Sequence, residues 1–276
     1  MNFIDDVLSG RVALPMVPRV IERLLRVLRQ NDASLSQIAD ELEQDPVLGS
    51  RVLRMANSSF FGGRRSMSSL TDAVSAIGFQ SLETLLIASG AQAAFSDVPG
   101  VNLRQFWLTS VMTAACARQI AGVMKANGNT AYAAGLLQGV GHLILCKCHP
   151  DLAIEEFSSM TQLWGPALAE RENAVFGVDH ARVSAIWADK LGMPEEVVLA
   201  IDHSLDPPMS SSQALSGVLQ LACAVAAAAA QGESLEEAMT QIDQTLLSNP
   251  ALSAYTQSED FATDFATLQT MPAPLN

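Results

Sequence analysis

Phe106-Trp-Leu-Thr-Ser-Val-Met-Thr-Ala-Ala-Cys-Ala-Arg-Gln-Ile-Ala-Gly-Val-Met-Lys125 and Ala131-Tyr-Ala-Ala-Gly-Leu-Leu-Gln-Gly-Val-Gly-His-Leu-Ile-Leu-Cys-Lys-Cys148 flank the turn-forming Asn127-Gly128-Asn129. Both stretches are rich in Ala and Leu and nearly apolar all round a helical projection. A helix at a surface keeps a polar face, so these read as central helices of a bundle, over 106–125 and 131–148. Helical punctuation continues outward in both directions. Toward the N-terminus, Leu14-Pro-Met-Val-Pro18 breaks the chain before Val20, Ile21, Leu24, Leu25, Val27 and Leu28, which repeat at helical spacing. Ser34 with Gln37 fits a capping box, and Asp45-Pro46 offers an oxygen acceptor at N-cap and a proline at N1. Ser69 opens a further helix that Gly78 can end in the left-handed conformation, which only glycine adopts cheaply, and 82–95 is another apolar helix. Toward the C-terminus helices are expected near 151–163, 166–175, 179–191, 195–204 and 213–230, and Ser234 with Glu237 opens 235–248. The Phe261, Phe265 and Leu268 stripe reads as a docked amphipathic helix or as part of a mobile end. The expected fold class is all-α.

Composition narrows the function. With 49% hydrophobic and only 16% charged residues, the 276-residue chain has material for a sizeable core and is not a disordered segment. Net charge is −13, which argues against nucleic acid or an anionic membrane as the main partner. The charge is uneven. Residues 1–65 hold nine Arg and eight acids, whereas 66–276 hold seven bases and twenty-one acids. The longest apolar run, Leu221 to Ala230, is too short to span a bilayer, and Asp5 and Asp6 stand where a signal peptide would be basic. A cytoplasmic location with four reduced cysteines is the expectation.

There is no glycine-rich phosphate loop, GxSxG elbow or HExxH in the chain. His142, Cys146, Cys148 and His149 cluster, and His142 and Cys146 at i, i+4 share a helix face. Cys148 lies about 200° around the helix from Cys146, so all four converge only if the helix ends near Lys147. Buried thiols and a helix-terminal imidazole are the simpler reading. Arg19, Arg23, Arg26 and Arg29 form a stripe that reads as a solvated face. Arg51, Arg54, Asn57, Arg64 and Arg65 concentrate donors that could grip a phosphate or a carboxylate, with pairing of Arg51 and Arg54 to Asp45 or Glu43 as the plainer alternative.

Several segments in order resemble the HDOD family, the HD-related output domain of bacterial signalling proteins. They are Leu14-Pro-Met-Val-Pro18, Leu42-Glu-Gln-Asp-Pro-Val-Leu48, Arg51-Val-Leu-Arg-Met-Ala-Asn-Ser58 with Phe60, Phe61 and Gly62, and Ser69 to Gly78. Phe106-Trp107, Gly135-Leu-Leu137, Gly141, Phe176-Gly-Val-Asp-His180 and Leu191-Gly-Met-Pro194 with Ala200-Ile201 complete the match over about 12–208. The resemblance implies an N-terminal helical lobe (11–105) packed on an HD-like bundle (106–250), followed by a tail (251–276).

The related HD phosphohydrolases hold a divalent ion with a His, an adjacent His-Asp pair and a later Asp. By the resemblance, Thr109 stands in place of the first His, Gln138 and Gly139 in place of the pair, and Cys223 in place of the last Asp. His180 alone survives, and His203 is offset from a family His-rich stretch. One imidazole does not hold a catalytic ion without further ligands. The expectation is therefore a non-catalytic signalling scaffold with no metal or other cofactor. It would bind signalling proteins in trans or a nucleotide-like ligand, with the surface around Arg51, Arg54, Asn57, Arg64 and Arg65 as the contact. The alternative is a metal-dependent phosphohydrolase acting on nucleotides or cyclic dinucleotides.

Overall fold

Side-chain oxygens start most of the helices. Ser34 accepts from the N–H of Gln37, Asp45 from those of Val47 and Leu48, and Asp179 from that of Arg182. Ser234 completes its box: Glu237 N–H donates to its Oγ at 3.2 Å while its own N–H donates to Glu237 Oε2 at 2.8 Å. Each such cap satisfies an amide that the helix itself leaves open, at about 0.5–2 kcal/mol. A computed structural model describes residues 3–8, 11–30, 33–57, 67–158, 164–206 and 214–271, and among these it contains helices and no strand. Two compact units result, one formed by 15–96 and the other by 1–14 with 97–276.

The short α1 (Phe3–Leu8) belongs to the larger unit. The smaller unit comprises α2 (Arg19–Leu28), α3 (Leu35–Glu43), α4 (Pro46–Ala56), α5 (Leu70–Ile77) and α6 (Phe79–Ala94). Leu24, Ile38, Leu42, Val52, Val74, Leu82 and Leu86 are wholly buried at its centre. Each such side chain contributes about 1.5–3 kcal/mol of burial. Gly78 turns α5 into α6 through 106°. Its φ of +76° is as expected, but ψ of 160° places it in the extended region open essentially to glycine alone, not the left-handed helical region. The arginine stripe of α2 is a solvated face edged with ion pairs, Arg23 to Glu41 at 2.9 Å and Arg29 to Glu83 at 2.8 Å among them.

The larger unit continues with α7 (Leu103–Val123), α8 (Gly128–Leu137), α9 (Val140–Cys148), α10 (Pro150–Phe157), α11 (Gly165–Phe176), α12 (His180–Lys190), α13 (Glu195–Asp202), α14 (Ala214–Gln231), α15 (Leu235–Gln241), α16 (Pro250–Thr256) and α17 (Glu259–Gln269). At its centre α7 packs on α8 and α14. The approach is close because the residues are small: a Cβ on Gly135 would lie 2.8 Å from Ala114 Cα. The C-terminal stripe docks, with Phe261, Phe265 and Leu268 buried and Gln119 Nε2 donating to Asp264 Oδ1 at 2.7 Å to tie α17 to α7.

Two expected helices are divided. The segment 235–248 ends as α-helix at Gln241 and resumes only as a short 3-10 turn at Leu246–Ser248. The segment 131–148 forms α8 and α9, with Gln138 and Gly139 between them. Ser184 of α12 takes over the backbone groups at this break. Its Oγ accepts from Gly141 N–H at 2.7 Å and donates to Gln138 C=O at 2.7 Å. α12 comes this near because residue 141 is glycine; a Cβ there would lie 2.1 Å from the His180 carbonyl oxygen.

Candidate functional site

The break between α8 and α9 separates two polar regions of the larger unit. On one side lies a buried network. Glu172 on α11 has no solvent exposure, and both its oxygens are engaged. His142 Nδ1 lies 2.8 Å from Oε1, while His180 Nδ1 at 2.6 Å and the His180 backbone N–H at 2.7 Å both reach Oε2. Cys146 Sγ lies 3.6 Å from His142 Nε2, one helical turn along α9.

Electrostatics bind the three groups together. Burial opposes charge on His142, but hydrogen bonds to Cys146 and Glu172 and the neighbouring carboxylate outweigh it and raise its pKa to about 9. Burial likewise opposes ionisation of Glu172, yet the charge of His180 and hydrogen bonds from both imidazoles lower it to about 2. His180 is raised in turn, its burial outweighed mainly by Glu172.

On the other side is a cavity of about 630 Å³. Gln138, from the helix break, lines it, as does Cys223 from α14. Gln138 is only 3% exposed, and its side-chain amide has no hydrogen-bond partner among the described residues. Trp164, Asp206, Gln220 and Asp243 lie around it, brought from segments far apart in sequence. Burial pushes the Cys223 thiol up to about 12. Thr109, on α7, is buried with a hydroxyl that has no partner among the described residues.

These residues do not fit the divalent ion of HD enzymes. An amide, a glycine, a hydroxyl and a single thiol occupy the positions that the resemblance assigns to its ligands. His180, the surviving one, holds Glu172 through Nδ1, and one imidazole does not hold such an ion without further ligands. Among the described residues no three His, Cys, Asp or Glu side chains are arranged to hold a metal.

The cysteine-histidine cluster is dispersed by the same packing. His142 and Cys146 meet, but His149 lies with its ring centroid 5.7 Å from that of Phe3 and 5.6 Å from that of Phe176. Cys148 is half-buried. His203 Nδ1 meets Asp206 Oδ2 at 2.7 Å beside the cavity.

In the smaller unit, Arg51 Nη1 donates to Gln92 Oε1 at 3.2 Å and not to Asp45 or Glu43. Arg54 is exposed and has no partner among the described residues. Asn57 is committed to the backbone, donating to the carbonyls of Leu53 and Met67 and accepting from Met67 N–H. Arg64 and Arg65 lie outside the described residues.

Glu172 escaped the sequence reading. Its signal is an acid placed a turn after Leu168 and Ala169, on the buried stripe of α11. The cavity had no local signal, since its wall is assembled only by the tertiary fold.

The HDOD domain family matches residues 14–207 of the chain. A solved HDOD domain protein of unknown function from Geobacter sulfurreducens superposes with a TM-score of 0.69 at 21% identity, covering 96% of each chain. A Shewanella amazonensis SB2B protein, provisionally named a phosphohydrolase, superposes with a TM-score of 0.68 at 23% identity, covering 97% of each chain. These likenesses show a shared fold. An uncharacterized protein of Treponema pallidum (strain Nichols) is 26% identical over 200 residues, which span 68% of this chain and 37% of that protein. With the family match extending over most of its length, the chain belongs to the HDOD domain family.

Proposed function

We propose that this HDOD protein serves bacterial signal transduction by binding, as a scaffold or ligand sensor, and does not turn over substrate. One observation carries the reading: Gln138 and Cys223, which by the resemblance stand at metal-ligand positions of HD enzymes, line one cavity and bring it neither a carboxylate nor an imidazole. Lewis-acid hydrolysis needs several anionic or imidazole ligands converging on an ion with an open position, and an amide with a single thiol does not supply them. Protein partners act in trans in this reading, and exposed Arg54 with Arg51 belongs to the contact surface.

The test is a rate measurement on the full chain with bis(p-nitrophenyl) phosphate in excess Mn²⁺. The expected rate is that of the buffer with Mn²⁺ alone. A metal-dependent rate that disappears in Cys223→Ala would overturn the proposal.

A further inference from the structure

Hydrogen-bond bookkeeping around the cavity is lopsided. Ser204 Oγ donates its proton to the Ile201 carbonyl at 2.7 Å. Gln241 Nε2 donates to Glu233 Oε2 at 2.6 Å, and Gln220 Nε2 donates to the Asp206 carbonyl. Ser204 has thereby used its one donor, Gln241 and Gln220 one of two each, and all three keep oxygen lone pairs for a guest. Asp243 accepts only from the backbone and hydroxyl of Thr245, both neutral. Asp206 adds a second carboxylate, one oxygen of which already meets His203 Nδ1 at 2.7 Å, and no Lys or Arg lines the cavity among the described residues. Deep in the wall, Gln138 is 3% exposed and lines the cavity, with no hydrogen bond from its side-chain amide to the described residues. An amide in that position is free to pair with a bound polar group.

We propose that this cavity binds a donor-rich organic cation: a primary amine or guanidinium carried on an apolar body. The volume falls within the usual range for small-molecule sites. Ala224, Ala227 and Leu246 give the apolar body a surface, beside Trp164, whose ring stacks on Phe106 with centroids 5.9 Å apart. The Gln138 carbonyl and the carboxylates of Asp206 and Asp243 accept from the cationic head, and the negative charge of the whole chain draws it in. A phosphate or carboxylate ligand would lose its hydration here without gaining a cation, so the cavity selects against the anions that HD enzymes process.

The inference rests on the binding reading above, but its test is separate from the hydrolysis assay. The full chain is titrated calorimetrically with benzylamine, agmatine and benzoate. Benzylamine and benzoate share an aromatic body and differ in charge. Both amines are expected to bind saturably and benzoate not to bind. Gln138→Leu is expected to weaken benzylamine about tenfold or more, and Asp243→Asn about two- to fivefold. Melting curves of the unliganded variants, expected to match the parent, separate lost binding from lost fold. Benzoate binding as tightly as benzylamine, no saturation by either amine, or undiminished amine binding in Gln138→Leu would each overturn the proposal. Turnover with amine binding intact would sink only the non-catalytic reading, and loss of amine binding without turnover only this one.

Discussion

Glu172 and Gln138 are both buried polar side chains of the larger unit, and they differ in one respect. Glu172 has its oxygens saturated by His142 and His180, whereas the Gln138 amide has no partner among the described residues. Saturation marks a group that holds the fold, because removing it strands partners in a low dielectric. An open valence beside a cavity marks a group that can receive something. By the resemblance His180 and Gln138 occupy related metal-ligand positions, so the chain has turned one into structure and left the other available.

The largest effect that would break this contrast is at Glu172. Glu172→Gln removes the charge facing two imidazoles and is expected to cost about 3–5 kcal/mol, read from urea denaturation. A loss below about 1 kcal/mol would mean that the network is not structural.

The pH dependence comes next. His142, raised to about 9 from 6.5, adds stability that is full below pH 6.5 and is lost as pH rises through 9. Glu172, lowered to about 2 from 4.5, adds stability that is full above pH 4.5 and is lost as pH falls toward 2. The network therefore contributes most between these limits. The urea midpoint of the parent should fall on both sides of that window, and Glu172→Gln should flatten the profile.

Ser184→Ala is expected to cost about 1–3 kcal/mol, since it strands the Gly141 N–H and the Gln138 carbonyl at the helix break. Smallest is Gln138→Leu, which removes an unpartnered amide and should leave the denaturation midpoint unchanged or slightly higher. A clear destabilisation by Gln138→Leu would show that its amide already has a structural partner, and the contrast would fail.

Local chemistry was legible in the sequence. Asp45-Pro46 and Ser234 with Glu237 are decided by neighbours within a turn, and the structure uses each as read, whereas Gly78 keeps a positive φ but not the left-handed helical ψ. The all-α fold and the family followed from such signals in order. The break at Gln138 and Gly139 did not, because its stabilising hydroxyl comes from Ser184, far along the chain. His142 and Cys146 do share a face, but the group that completes their environment is a carboxylate from another helix. The cavity wall joins residues from Gln138 to Leu246, and no spacing rule connects them.

The hydroxyl of Ser184 has a mechanical meaning as well. One side-chain oxygen holds the chain just before and just after the interruption, so the residue that presents its amide to the cavity is tied through its carbonyl to α12. The first residue of that helix is His180 in the buried core.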